Sequence, residues 1–220
     1  MPDRGFFADL DGTLADSLLV LRDAYRGFMR RVGRPDSDAE FERLNGPPVP
    51  AIVARLKASH GLEQSAGELE RIYRELVDEA YRSVDPMPHA AEVLAAAGRA
   101  GWVVGVVTSN GAHRTRAWLE RTQLLSSIDV VISGEDVSRG KPDPEPYRQA
   151  LARAGCDPAQ SIAVEDSSQG AAAARAAGLA TFLLGEQRDG AALQSGVSAI
   201  GSLADLLPVL ATPRRRHKAS

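Results

Sequence analysis

Short unbroken apolar runs recur along the chain. They are Phe6-Phe7-Ala8 after Gly5, Trp102-Val103-Val104-Gly105-Val106-Val107, Val130-Val131-Ile132 after Asp129, Ile162-Ala163-Val164 after Ser161, and Ala180-Thr181-Phe182-Leu183-Leu184. Runs of this length predict buried strands. Helices are predicted between the later runs, over 89–99, from 112 to about 122, from 144 toward Gly155, and through 177 until Gly178 stops the chain. Asp143 caps the third of these, Pro144 opens it, and Gly155 stands beyond its end. A last short helix is predicted over 203–210. Strands alternating with helices predict an α/β fold with a parallel sheet.

One long block breaks that alternation. After the first run, Leu18, Leu21, Tyr25, Phe28, Met29 and Val32 form a helical stripe. Ser37 and Glu40 have capping-box spacing ahead of Phe41 and Leu44. Asn45-Gly46-Pro47-Pro48 breaks the chain, and Ile52, Val53 and Leu56 mark a further short helix ending near Gly61. Ser65 and Glu68 repeat the capping-box pattern before a stripe from Leu69 through Tyr73, Val77 and Tyr81 to Val84. No strand signal interrupts this block. The division that follows is an α/β core over 1–15 and 86–220 and an all-helical cap over 16–85. Hinges are expected at 14–16 and 84–88.

Length and charge narrow the class. With 220 residues the chain suits one large domain, or a domain with an insert, and can bury a sizeable core. A net charge of −3 and a pI near 5.8 give no global attraction to nucleic acid or to an anionic membrane. The single Cys156 excludes an internal disulfide framework and fits a reducing cytoplasm; in its turn it reads as a small buried residue. The first residues lack the apolar stretch of a signal peptide, and no apolar run reaches membrane-spanning length. A cytoplasmic monomer or weak dimer is expected. The basic tail Pro213-Arg214-Arg215-Arg216-His217-Lys218 reads as a frayed, solvated terminus.

The chemistry lies where the apolar runs end. Asp9-Leu10-Asp11-Gly12-Thr13-Leu14-Ala15-Asp16-Ser17 follows the first run, and ligands of open α/β sheets bind outside the carboxyl ends of strands. Two carboxylates crowded there repel one another. A divalent cation such as magnesium would relieve the repulsion. One acid can serve as nucleophile and the other as acid/base. The plainer alternative is a strand ending in an Asp-Gly turn. Three further tips weigh against it: Thr108-Ser109-Asn110-Gly111, Gly140-Lys141-Pro142-Asp143-Pro144 and Glu165-Asp166-Ser167-Ser168. Together they offer a nucleophile, hydroxyl and amide donors, a lysine and a second acidic pair, which is the inventory for moving a phosphoryl group.

On Asp9-Leu10-Asp11-Gly12-Thr13-Leu14-Ala15-Asp16-Ser17, Thr108-Ser109-Asn110, Gly140-Lys141-Pro142-Asp143-Pro144-Glu145-Pro146-Tyr147 and Val164-Glu165-Asp166-Ser167, the chain resembles the haloacid dehalogenase superfamily. It is most similar to the small-helical-cap branch of phosphoglycolate phosphatases and β-phosphoglucomutases, from Gly5 to about Gly185. The resemblance implies a Rossmann-like parallel-sheet core. Asp9 would attack phosphorus and form an aspartyl-phosphate; Asp11 would protonate the leaving oxygen and then take a proton from water. Magnesium would be held by Asp9, the backbone carbonyl of Asp11, and Asp166. Glu165 is a direct ligand, a ligand through water, or an acid that only orders the loop. Thr108 and Ser109 would bind phosphoryl oxygens, and Lys141 would offset the charge between Asp9 and the phosphate. Asn110 shapes the turn or touches the substrate. Gly46 in the cap loop would line the substrate site, Ser167 would order the metal loop, and His113 reads as a surface or packing residue.

Departures from relatives narrow the activity further. Haloacid dehalogenases and phosphonate-cleaving relatives lack the acid two residues after the nucleophile, so Asp11 argues for phosphoryl chemistry. The β-phosphoglucomutase branch has a histidine twelve residues after the nucleophile, where this chain has Leu21, and an arginine in the cap loop, where Asn45-Gly46-Pro47-Pro48-Val49-Pro50 holds no cation. The directions of Arg55 and Lys57 are open. The expected substrate is a small phosphate monoester: a sugar, polyol or glycolate phosphate. A phosphosugar mutase and a non-enzymatic phospho-acceptor are the alternatives. A dinucleotide-dependent oxidoreductase is rejected, because no Gly-x-Gly-x-x-Gly follows the first strand.

Overall fold

The structure is a computed structural model that describes residues 4–44, 46–185 and 196–211; Asn45 and the basic tail lie outside the described residues. Strand β1 (Gly5–Ala8) is buried along its whole length. The chain then runs through α1 (Leu18–Arg31), α2 (Asp38–Leu44), α3 (Val49–His60) and α4 (Ala66–Tyr81) before returning in α5 (Ala90–Arg99). It continues as β2 (Val103–Val107), α6 (Ala112–Arg121), β3 (Val130–Ile132), α7 (Glu145–Ala154), β4 (Ile162–Glu165), α8 (Ser168–Ala176), β5 (Ala180–Leu184), β6 (Val197–Ile200) and α9 (Leu207–Leu210). The strands form one sheet in the order β3-β2-β1-β4-β5-β6, and every pairing is parallel. From β1 the chain moves outward through β2 to β3, then crosses back to β4 on β1's other side. That reversal opens a crevice at the carboxyl ends of β1 and β4, where such sheets bind ligands.

Alternation along β1 sends neighbouring side chains to opposite faces. Phe6 joins a core that continues through Val104 and Val164 into Tyr25, Phe28, Leu56 and Leu69 of the helical block. Phe7 joins a second core with Val107, Tyr147, Leu151 and Ala173 and Ala174 of α8. Gly105, the register partner of Phe7, leaves room for that ring: a Cβ there would lie 2.5 Å from Phe7 Cδ1.

The two chain segments that connect α1 to α4 with the sheet run side by side. Asp16 N–H donates to Asp85 O at 2.9 Å, Met87 N–H donates to Leu14 O at 2.8 Å, and Ala15 pairs antiparallel with Pro86. Trp118 of α6 is buried against this crossing and donates its indole N–H to Val84 O at 2.9 Å.

Local expectations fare unevenly. Ser65 accepts the Glu68 N–H at 3.2 Å, and Gly61 closes α3 in the left-handed region at φ 59°. Asp143 Oδ1 accepts the Glu145 N–H at 2.9 Å, so it caps the start of α7. The capping box at Ser37 is not formed as expected. Glu40 N–H reaches Ser37 Oγ at 3.4 Å, but the Glu40 carboxylate turns to the Tyr25 hydroxyl at 2.5 Å and to His60 Nε2 at 2.9 Å, tying α2 to α1 and α3. Strand β6 went unpredicted because only its first and last residues are bulky and apolar. The 203–210 segment divides into a 3-10 turn over Leu203–Leu206 and α9. Cys156 is half-buried rather than buried, packed beside the second core. Among the described residues no helix is long and apolar enough to cross a membrane.

Candidate active site

The tips of β1, β2 and β4, with the segment after β3, converge on a cleft of about 240 Å³ whose other wall is the helical block. Asp9, Asp11, Gly46, Thr108, Ser109, Asn110, Lys141, Asp166 and Ser167 all line it. The turn after β1 depends on Gly12, which sits at φ 74°; a Cβ there would lie 2.3 Å from Asp166 Oδ2. Only glycine lets the Asp9–Asp11 turn and the β4 tip approach this closely. Ser167 caps α8 by accepting the Gly170 N–H at 3.0 Å, which fixes the residue beside Asp166. Thr108 is buried, and its Oγ1 accepts the Asn110 N–H at 3.0 Å.

Lys141 is the central cation. Its Nζ donates to Asp9 Oδ1 at 2.6 Å and to Val107 O at 2.8 Å, and lies 2.5 Å from Glu165 Oε1. Burial alone would lower its pKa, but the charges of Asp9 and Glu165 outweigh burial and raise it, so the ammonium persists. Glu165 is fully buried and does not line the cleft. Its Oε1 also accepts from the Tyr147 hydroxyl at 2.5 Å, while Oε2 packs toward Gly170 and is a buried oxygen with no hydrogen-bond partner among the described residues. Burial raises the Glu165 pKa, and Lys141 opposes the rise.

Asp11 has different company. Its Oδ1 accepts from Ser17 Oγ at 2.7 Å and from the Tyr81 hydroxyl, and its Oδ2 accepts from Asn110 Nδ2 at 3.1 Å. Burial raises its pKa and Asp9 adds to the rise; the Tyr81 and Ser17 donors only moderate it. Asp9 and Asp11 thus have different partners: Asp9 is buried and ion-paired to Lys141, and Asp11 is half-buried and bonded by the neutral donors of Ser17, Tyr81 and Asn110. Such separation equips one carboxylate to attack and its neighbour to hold a proton.

The acidic groups ask for a cation. Asp9, Glu165 and Asp166 each place one oxygen within 4.8 Å of the others. Burial, Asp9 and Glu165 together push Asp166 well above the usual carboxylate range. Asp9, Glu165 and Asp166 share the one buried ammonium of Lys141 among the described residues, an imbalance that a hard divalent cation on oxygen ligands would correct. These residues fit such an ion.

The structure also places residues that sequence reasoning passed over. Arg74 and Arg114 line the cleft, whereas Arg55 and Lys57 do not: Arg55 reaches Arg43 O at 3.3 Å, and Lys57 donates to Leu62 O at 2.6 Å. Tyr81 and Asp78, both on α4, bond the site's polar groups, although Tyr81 read only as part of an apolar stripe. No sequence signal marks them, because their partners lie on other elements. His113 is exposed, consistent with a surface role.

Residues 7–184 match the family described as haloacid dehalogenase-like hydrolase. The chain is 33% identical over 194 residues to validoxylamine A 7'-phosphate phosphatase of Streptomyces hygroscopicus subsp. limoneus, covering 84% of this chain and 87% of that protein. It is 30% identical over 229 residues to a plasmid-encoded phosphoglycolate phosphatase of Cupriavidus necator, covering 100% and 98%. In fold it is similar to the crystal structure of CbbY from Rhodobacter sphaeroides in complex with phosphate, with TM-score 0.79 and 24% identity over 94% of this chain and 96% of that one. The carboxylate pair after β1, the lysine after β3 and the acidic pair after β4 stand inside the matched span, and by that match the chain belongs to the haloacid dehalogenase-like hydrolases.

Proposed function

We propose that this hydrolase is a magnesium-dependent phosphatase that cleaves a small phosphate monoester through an aspartyl-phosphate on Asp9. The observation that carries the reading is the contrast between its two acids: Asp9 held by Lys141 at 2.6 Å, and Asp11 half-buried and bonded by the neutral donors Ser17, Tyr81 and Asn110. Asp9 attacks phosphorus while the ester P–O bond breaks. Asp11 gives its proton to the departing oxygen, then takes one from the water that opens the aspartyl-phosphate. Lys141 neutralises charge on Asp9 and the incoming phosphoryl oxygens. Thr108 Oγ and the Ser109 amide, at the β2 tip, bind those oxygens.

Asp9 and Asp166 would hold the magnesium. The Asp11 side chain is engaged by its three donors, so its share is the backbone carbonyl. Glu165 Oε1 is committed to Lys141 and Tyr147, so Glu165 acts chiefly by holding Lys141 in place. When bound, the cation supplies charge neutralisation between nucleophile and phosphate.

Residues 16–85 serve as the cap over a core formed by 1–15 and 86–220. Its face of the cleft includes Phe41, Val49, Ile52, Tyr73 and Val77, an apolar wall suited to the carbon frame of a sugar, polyol or glycolate phosphate. The enzyme acts in the cytoplasm, which its one cysteine suits. The test is a panel of phosphate esters with magnesium, reading inorganic phosphate. A borohydride quench during turnover should convert Asp9 to homoserine. Absence of both signals would overturn the reading.

A further inference from the structure

The helical block contributes to the acid as well as to the wall of the cleft. Tyr81, the last residue of α4, is buried and donates its hydroxyl to Asp11 Oδ1. The same hydroxyl accepts from Asn110 Nδ2 at 2.9 Å, and that amide nitrogen also bonds Asp11 Oδ2 at 3.1 Å. One face of the Asp11 carboxyl is therefore gripped by a phenol and an amide that also bond each other.

The amide is itself oriented. Arg114 Nη1 donates to Asn110 Oδ1, which turns Nδ2 toward Asp11. Arg114 is nearly buried; its Nε and Nη2 both bond Asp78 Oδ1, at 2.7 and 2.6 Å, and its guanidinium lies 5.6 Å from the centre of the Tyr81 ring. Asp78 and Tyr81 are three residues apart on α4, on the same face. The contacts close a ring: Asp78 to Arg114 of α6, to Asn110 after β2, to Asp11 after β1, to Tyr81, and back along one turn of α4.

We infer that Tyr81 is a positioning residue for leaving-group departure: a docked α4, clipped to the core by Asp78 and Arg114, aims the Asp11 carboxyl at the ester oxygen. The inference rests on the phosphatase reading above. With α4 undocked, Asp11 keeps Ser17 and Asn110 but loses the donor that fixes its Oδ1 from the cap side. Protonation of the leaving oxygen is then coupled to cap closure.

The distinguishing measurement is sensitivity to the leaving group. An ester such as p-nitrophenyl phosphate departs without protonation; glycerol phosphate does not. The parameter to compare is kcat/KM, which ends at departure of the leaving group and omits hydrolysis of the aspartyl-phosphate. Tyr81→Phe should lower kcat/KM for glycerol phosphate about tenfold or more, out of the roughly hundredfold or greater contribution of a general acid. For p-nitrophenyl phosphate the change should stay within about twofold, because nothing there needs the proton. Equal losses on both esters, or no loss on either, would overturn the inference while leaving the phosphatase reading standing. Wild-type enzyme that releases phosphate from neither ester would overturn both. Arg114→Gln breaks the same ring from its other end. It should show the same selectivity, and it carries the test should Tyr81→Phe not fold.

Discussion

Lys141 stands between Asp9 and Glu165, 2.6 and 2.5 Å away, with almost none of its side chain exposed. Buried charges in this geometry depend on each other, since removing one partner strands the rest. Lys141→Met should cost on the order of 3–5 kcal/mol of stability, measured by urea unfolding, and abolish turnover. A variant as stable as wild type would mean that the two carboxylates take up protons and need no ammonium. Asp9→Asn is a milder change, because it keeps shape and packing. It should leave the circular-dichroism spectrum unaltered and reduce phosphate release to a trace. Metal-dependent turnover that survived it would remove Asp9 from the nucleophile's role. Asp166→Ala should weaken magnesium binding, read as a raised metal requirement for activity. Unchanged metal dependence would assign the ion to other oxygens.

At the scale of elements, function depends on how tightly two strand tips approach. The β1 turn passes so close to Asp166 that Gly12 has no space for a methyl, and its φ of 74° disfavours any side chain. Gly12→Ala should therefore displace Asp166. The expected result is a loss of activity much larger than the loss of stability, which should stay near 1–3 kcal/mol for a strained left-handed position. Thermal melting beside a magnesium titration would show it; normal activity would mean that the turn relaxes without moving Asp166. The elements of the helical block are tied to one another by side chains. Glu40 draws α1, α2 and α3 together through Tyr25 and His60, and this holds Phe41 against the cleft.

For the whole molecule the question is whether the closed site retains a phosphorylated product or releases it to water. A mutase must hold a second phosphate and keep water from its aspartyl-phosphate. Leu21 and the apolar Pro47, Pro48 and Val49 line the cleft, Arg55 and Lys57 turn elsewhere, and Arg114 is already bound to Asp78. Arg74 is the cleft cation that α4 contributes, and it lies 3.6 Å from Glu70. β-Glucose 1-phosphate with magnesium and a bisphosphate activator should therefore yield free phosphate faster than glucose 6-phosphate. Isomerisation outrunning release, with both products followed in one reaction, would make Arg74 the second-phosphate site.

The sequence alone determined what is local. Apolar runs marked five of the strands, helical stripes marked the block between β1 and α5, and the segments that follow β1, β2, β3 and β4 held Asp9, Asp11, Thr108, Lys141 and Asp166, because a parallel sheet collects its strand ends at one edge. β6 gives no apolar run because Ser198 and Ala199 separate its two bulky residues, and the Ser37 capping box does not form because Glu40 finds stronger partners on α1 and α3. Tertiary structure alone decided which residues of the helical block reach the site. Tyr81 and Asp78 bond groups that lie 29 to 70 positions away in the chain, and Glu165 turned from the cleft to Lys141 and Tyr147. Periodicity records which face of a helix is buried, but not what that face meets. That depends on how α4 docks over the β1 and β2 tips, a packing outcome set by all of the elements together.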